Sequence, residues 1–266
     1  MATPELSLRT NAVSTYRDHE AGYIAQLVAP MDDMWAAFAD MAAPHALRIG
    51  DEVVGSCCAD DDRQLLRFYV EAPFLDRAEA LLRLALRELG VRRMMVPTSD
   101  PGFLSAALDV GTGVECHTLL FEHVVAPARP GLDGLVVAEP GDHARLVAFE
   151  ADATGAPLGF LESYIAARLD RRELLVLEAE GEILSIGELR RDTRQDRVAQ
   201  LGVVVGKQHR GKGIASAMMA SLVRRSRDEG LRPCCSTEVG NMGARRAIER
   251  AGFQARHRLL AIGAGS

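Results

Sequence analysis

Leu201-Gly202-Val203-Val204-Val205-Gly206-Lys207-Gln208-His209-Arg210-Gly211-Lys212-Gly213-Ile214-Ala215 is the stretch on which the fold turns. The β-branched run Val203 to Val205 has strand character. Beyond Gly213, Ile214, Met218, Met219, Leu222 and Val223 recur at helical spacing up to about Arg227. Between strand and helix, Gly211 and Gly213 let the backbone approach a ligand closely and free the first amides of the helix. Arg210 and Lys212 add positive charge beside a helix N-terminus that already favours anions. This is an anion cradle.

The dinucleotide fingerprint fails, because Ser216 stands where a third glycine is needed, and no Gly-Lys-Ser/Thr closes a P-loop. Gln208-x-x-Gly211-x-Gly213 instead resembles the Q/R-x-x-G-x-G/A signature of the GNAT (GCN5-related N-acetyltransferase) superfamily. Downstream, Asn241 opens a helix that Glu249-Arg250-Ala251-Gly252-Phe253 ends, similar to the family's closing Asn and Gly-Phe. The resemblance covers roughly Leu132 to Ile262. It implies that Gln208 and the segment His209, Arg210, Gly211, Lys212, Gly213, Ile214 and Ala215 hold the pyrophosphate of acetyl-CoA. It also implies that Val203, Val204 and Val205 pair with the pantetheine arm, one amide polarising the thioester carbonyl. Asn241 would steady the cofactor near its reactive end; its plain reading is a helix N-cap.

The rest of the composition bounds the class. With 26% charged and 48% hydrophobic residues, 266 residues suffice for one large domain or two ordinary ones. No apolar run approaches the ~20 residues that span a bilayer, and Met1-Ala2-Thr3-Pro4-Glu5 lacks signal-peptide order, so a cytoplasmic location is expected. The five cysteines, Cys57, Cys58, Cys116, Cys234 and Cys235, show no C-x-x-C spacing and read as reduced strand residues, with no metal site. A net charge of −6 argues against general nucleic-acid binding.

The chain reads as a repeat. Gly90-Val91-Arg92 matches Gly230-Leu231-Arg232, and Gly111 matches Gly252, a period of roughly 140 residues. Pro127, Pro130 and Gly131 mark a linker. The expected fold is therefore α/β (α+β): two GNAT-like domains, residues 1–126 and 132–266, each a mixed, mostly antiparallel sheet flanked by helices. The first segment, to about Arg9, reads as disordered or strand-forming, and Asp18 to Val28 and Met31 to Ala43 as helices. Trp35, Phe38 and Met41 fall on one face and read as core. Between Val70 and a helix at Asp76, Glu71-Ala72-Pro73-Phe74-Leu75 offers no glycine, one negative charge and one missing amide. The first copy thus reads as degenerate, contributing to an acceptor cleft or to a homodimer.

The second copy departs from the family's pattern at its acid and base. Ile248 occupies the place where the family often has a Tyr that protonates the leaving thiolate; water, or Tyr164 from its helix, is the substitute. No Glu lies on Val198-Ala199-Gln200-Leu201, which leaves Glu188 and Glu238 as base candidates, acting through water. Arg190-Arg191 reads as loop charge beside a hairpin. The expected activity is direct acetyl transfer from acetyl-CoA to a small-molecule or peptide amine. The rivals are a non-catalytic acyl-CoA sensor and a transferase of a longer acyl group.

Overall fold

The computed structural model describes residues 5–265. Residues 1–4, at the start of the expected terminal segment, and residue 266, at the end of the expected second domain, lie outside the described residues. The strands and α-helices follow in the order β1 (Leu6–Thr10), α1 (Val13–Asp18), α2 (Glu20–Gln26), α3 (Asp33–Met41), β2 (Ala43–Ile49), β3 (Glu52–Ala59), β4 (Gln64–Val70), α4 (Ala78–Glu88), β5 (Arg93–Pro97), α5 (Pro101–Val110) and β6 (Gly111–His123). There follow β7 (Val136–Val137), α6 (His143–Thr154), α7 (Leu158–Asp170), β8 (Leu174–Ala179), β9 (Glu182–Arg191), β10 (Val198–Val205), α8 (Ile214–Asp228), β11 (Arg232–Glu238), α9 (Met242–Arg250) and β12 (Phe253–Ala264). Two compact units result, one running to Leu120 and taking in the segment from His257, the other Phe121–Arg256. Each is an α/β unit with a mixed, mostly antiparallel sheet flanked by helices.

In the first unit, β1–β2, β2–β3, β3–β4 and β5–β12 pair antiparallel, and β4–β5 parallel. The amphipathic α4 puts Leu81, Leu82 and Ala85 against Leu65, Phe68 and Met94, and Phe103 of α5 joins that core. The expected helix from Asp18 to Val28 corresponds to α2, and a further helix, α1, precedes it, the two meeting at His19. The expected core face of α3 needs a larger correction. Phe38 is 46% and Met41 75% exposed, and Trp35 only partly buried, because α3 packs through the small Ala36 and Ala39 instead. At Glu71 the chain enters a 3-10 turn, Ala72–Arg77, without left-handed backbone, and the Glu71 carboxylate lies 3.2 Å from His19.

In the second unit, β7–β8, β8–β9 and β9–β10 pair antiparallel, while β10 and β11 are parallel. Strand alternation sends Ile186 towards α6 and α7, where it joins Leu146, Leu161, Ile165 and Leu169. Gly187 points to the other face, where a β-carbon would lie 2.6 Å from Met218 Sδ of α8. The periodic Met218, Met219, Leu222 and Val223 are all buried.

Candidate active site in the second unit

The parallel register of β10 with β11 covers Val198 to Gln200 and stops there, whereas β10 stays paired with β9 as far as Val205. The half-buried Val203, Val204 and Val205 therefore face a gap where the two parallel strands part. An open strand edge offers amide and carbonyl groups to an extended ligand. Past Val205 a 3-10 turn, Lys207–His209, leads to Gly211 at φ +76° and Gly213 at φ +87°. Both angles favour glycine. Nothing lies within 4 Å of a β-carbon placed on Gly211. Gly213 is the N-cap of the 15-residue α8 and provides no side-chain cap, so the first-turn amides keep their capacity for an anion.

The side chains around the turn divide into two groups. Gln208 Nε2 donates to Glu182 Oε1 (2.5 Å), and His209 Nε2 lies 3.3 Å from the same oxygen. These bonds hold the Glu182 carboxyl below the usual range and tie the turn to the start of β9. Arg210 donates to the carbonyls of Val205 (3.3 Å) and Ala153 (2.6 Å), which fastens the turn to the end of α6. Lys212 is exposed, and Ile214 and Ala215, at the first turn of α8, are partly buried. Arg129, from the segment read as linker, approaches the cradle: its Nη1 lies 2.5 Å from a β-carbon position on Gly213. Asn241 is exposed, and its Oδ1 accepts from the Ala244 amide (3.1 Å), capping α9. Cys234 and Cys235 are buried thiols.

Beside β10, buried polar groups converge between the sheet and α6–α7. Glu188 is 6% exposed, and its Oε2 accepts from the Tyr164 hydroxyl (2.8 Å) and from Arg190 Nη1. A β-carbon on Gly202 would stand 2.9 Å from that oxygen, so glycine on β10 makes room for the carboxylate. Arg190 is no loop charge; it is buried on β9 two residues from Glu188, on the same sheet face. Glu150, on α6, is 4% exposed and its Oε1 has no hydrogen-bond partner. Burial first, then the charge of Glu188, pushes the Glu150 carboxyl up to about 8. Desolvation, with Glu188 next, also raises the Tyr164 phenol. The structure thus brings Tyr164 and Glu188 together, whereas Glu238 ends β11 as an exposed residue.

Two family models match the chain. An acetyltransferase (GNAT) domain model covers residues 10–124, and an acetyltransferase (GNAT) family model covers residues 141–253. The chain carries two GNAT domains in tandem. A GNAT-family acetyltransferase from Colwellia psychrerythraea superposes with a TM-score of 0.92 at 28% identity, covering 97% of this chain and 99% of that one. A GCN5-related N-acetyltransferase from Sphaerobacter thermophilus shares the fold at TM-score 0.66 and 17% identity, covering 98% and 96%. So does a tandem GNAT protein of the clavulanic acid biosynthesis pathway, at 0.64 and 16%, covering 98% of each chain. No curated protein matches the sequence.

Together, the matches and the shared fold support a GNAT-type acyl-CoA-dependent transferase. The cradle of this second GNAT domain fits such a cofactor: left-handed glycines, open space at Gly211, uncapped α8 amides and a parted strand edge lie in sequence along it. Arg129 and Glu150 went unnoticed in the sequence. Arg129 carries no local signal there, and nothing in the local sequence distinguishes Glu150 from a solvated helix carboxylate. Among the described residues no group of three or more His, Cys, Asp or Glu could hold a metal ion, and no helix is long and apolar enough to cross a membrane.

Proposed function

We propose that the second domain is an N-acetyltransferase that uses acetyl-CoA and an amine acceptor, with direct transfer between them. The observation that carries this reading is the parting of β10 from β11 after Gln200, followed by the glycine turn into the uncapped α8. Acetyl-CoA, when bound, supplies the activated thioester. The α8 amides, Lys212 and Arg129 hold its phosphates, and the β10 edge from Val203 to Val205 orients the pantetheine arm. Glu150 receives the proton of the amine, since a buried carboxyl near 8 is matched to that task at neutral pH. Glu188, paired with Arg190, orients the Tyr164 hydroxyl, which stands in for the absent family Tyr as proton donor to the leaving thiolate.

The first domain is a degenerate copy in this reading, because its turn after β4 has no left-handed glycine and places Glu71 at the entry. One observation favours a second reading, an acyl-CoA sensor: the Tyr164 hydroxyl already donates to Glu188 Oε2, which commits its proton to a buried carboxylate rather than to a leaving thiolate. Thiol release from acetyl-CoA across a panel of amines, polyamines, aminoglycosides and peptide N-termini separates the two. Acceptor-dependent release supports the enzyme; tight binding without release supports the sensor. Longer acyl donors in the same assay define the chain length. Gly211→Val should abolish binding of acetyl-CoA under either reading, and retained binding would remove the cradle assignment.

A further inference from the structure

Arg67 of the first domain stands on β4 where its register with β3 slips: Cys58 pairs with Arg67 but Ala59 with Leu65, leaving Leu66 as the extra residue. A bulge of this kind re-aims a side chain. Arg67 is 3% exposed, and its guanidinium carbon lies over two phenol rings, 4.3 Å from the centroid of Tyr16 and 3.9 Å from that of Tyr23. Its Nε and Nη2 are buried without hydrogen-bond partners. Those nitrogens form the edge with which a guanidinium grips a carboxylate through two parallel bonds.

The surroundings are in the same condition. Asp100 Oδ2, Ser99 Oγ and Ser56 Oγ also lack partners, each on a fully buried residue. Asp100 and Arg67 both act electrostatically on Tyr23, and Arg67 acts on Asp100. Ser56 pairs with Tyr69 and Cys58 with Arg67, which puts these four residues on one sheet face. A buried guanidinium with an unpaired edge is costly, and stacking on two rings offsets only part of that cost.

We propose that the first domain binds a small organic carboxylate at the Nε/Nη2 edge of Arg67, between β4 and helices α1 and α2. The charges favour a monoanion. Arg67 contributes one positive charge and Asp100 opposes it, a balance that favours a single negative charge over a dianion. The flanking tyrosines suit an organic body.

The test is isothermal titration calorimetry of the full chain with acetate, pyruvate, succinate and benzoate, and with the matching amides as controls. At least one carboxylate should bind saturably while its amide does not. Arg67→Lys, which keeps the charge but loses the fork, should weaken binding at least tenfold, and Arg67→Met should remove it. The lysine variant carries the test if the methionine variant fails to fold. Absence of binding by every carboxylate, equal binding of the amides, or unchanged binding by Arg67→Lys would each overturn the proposal.

Discussion

The Tyr164 hydroxyl donates a 2.8 Å hydrogen bond to Glu188 Oε2, joining α7 to β9 across 24 residues of chain. The ring stacks on Phe160 at 5.4 Å and is approached by the Arg168 guanidinium at 5.2 Å. Tyr164→Phe keeps this packing and deletes one donor to a buried carboxylate. Such bonds contribute about 1.5–3 kcal/mol, and urea denaturation should show a loss of that order. If the phenol also transfers a proton, turnover should fall by roughly 10²-fold, the low end of general acid–base contributions. A stability loss with unchanged turnover would confine Tyr164 to a positioning role.

The Arg190–Glu188 pair is almost fully buried on both sides, so removing one partner strands a charge. Arg190→Met should cost about 3–5 kcal/mol, well beyond an exposed ion pair. Adding Glu188→Leu to that variant should recover most of the loss, because neither charge is then unpaired. Thermal denaturation of the two single variants and the double variant checks this through the coupling energy. Additive losses would mean that the pair is not the unit that matters.

The cradle was legible because its signal is local. β-branched residues, two glycines and a helical period specify strand, turn and helix without reference to distant parts of the chain. Arg190 was legible in principle as well: it stands two residues from Glu188, so strand parity alone puts both on the face of Ile186. The α3 face misled for a physical reason. Trp35, Phe38 and Met41 share a helical face, yet Ala36 and Ala39 let the helix approach closely, and the sheet took that side. Contacts such as Tyr164 with Glu188, or Arg129 with Gly213, join elements far apart in sequence. No local period encodes them.

Arg129 tests the electrostatic part of the cradle. Its guanidinium lies beside Gly213 but belongs to an exposed loop, so Arg129→Ala should leave stability within about 0.5 kcal/mol. Affinity for acetyl-CoA should fall several-fold at low salt, and the difference from the parent should shrink as salt screens the charge. Fluorescence titrations at two ionic strengths read both effects. Equal affinity at low salt would place Arg129 outside the phosphate site.

Glu150 gives the sharpest pH signature. Its ordinary carboxyl value is 4.5, and burial with Glu188 pushes the folded-state value up to about 8. Between those limits the folded chain holds a proton that the unfolded chain has released. Folding stability should therefore decline as pH rises from about 4.5 to about 8 and level off above, as far as this group is concerned. Glu150→Gln stays neutral in both states, so its stability should lose that slope and exceed the parent's at pH 9 while matching it more closely at pH 5. Urea unfolding of both proteins across this range isolates the group from every other titration. Activity should move the opposite way. As the proton acceptor, Glu150 must be ionised, so kcat/KM of the parent should climb through an inflection near 8, and Glu150→Gln should lower it by roughly 10²–10³-fold and flatten the profile. A Gln variant that keeps the parent's rate and inflection would transfer the base role to another group; one that loses the rate but keeps the stability slope would show that a different buried acid sets the slope.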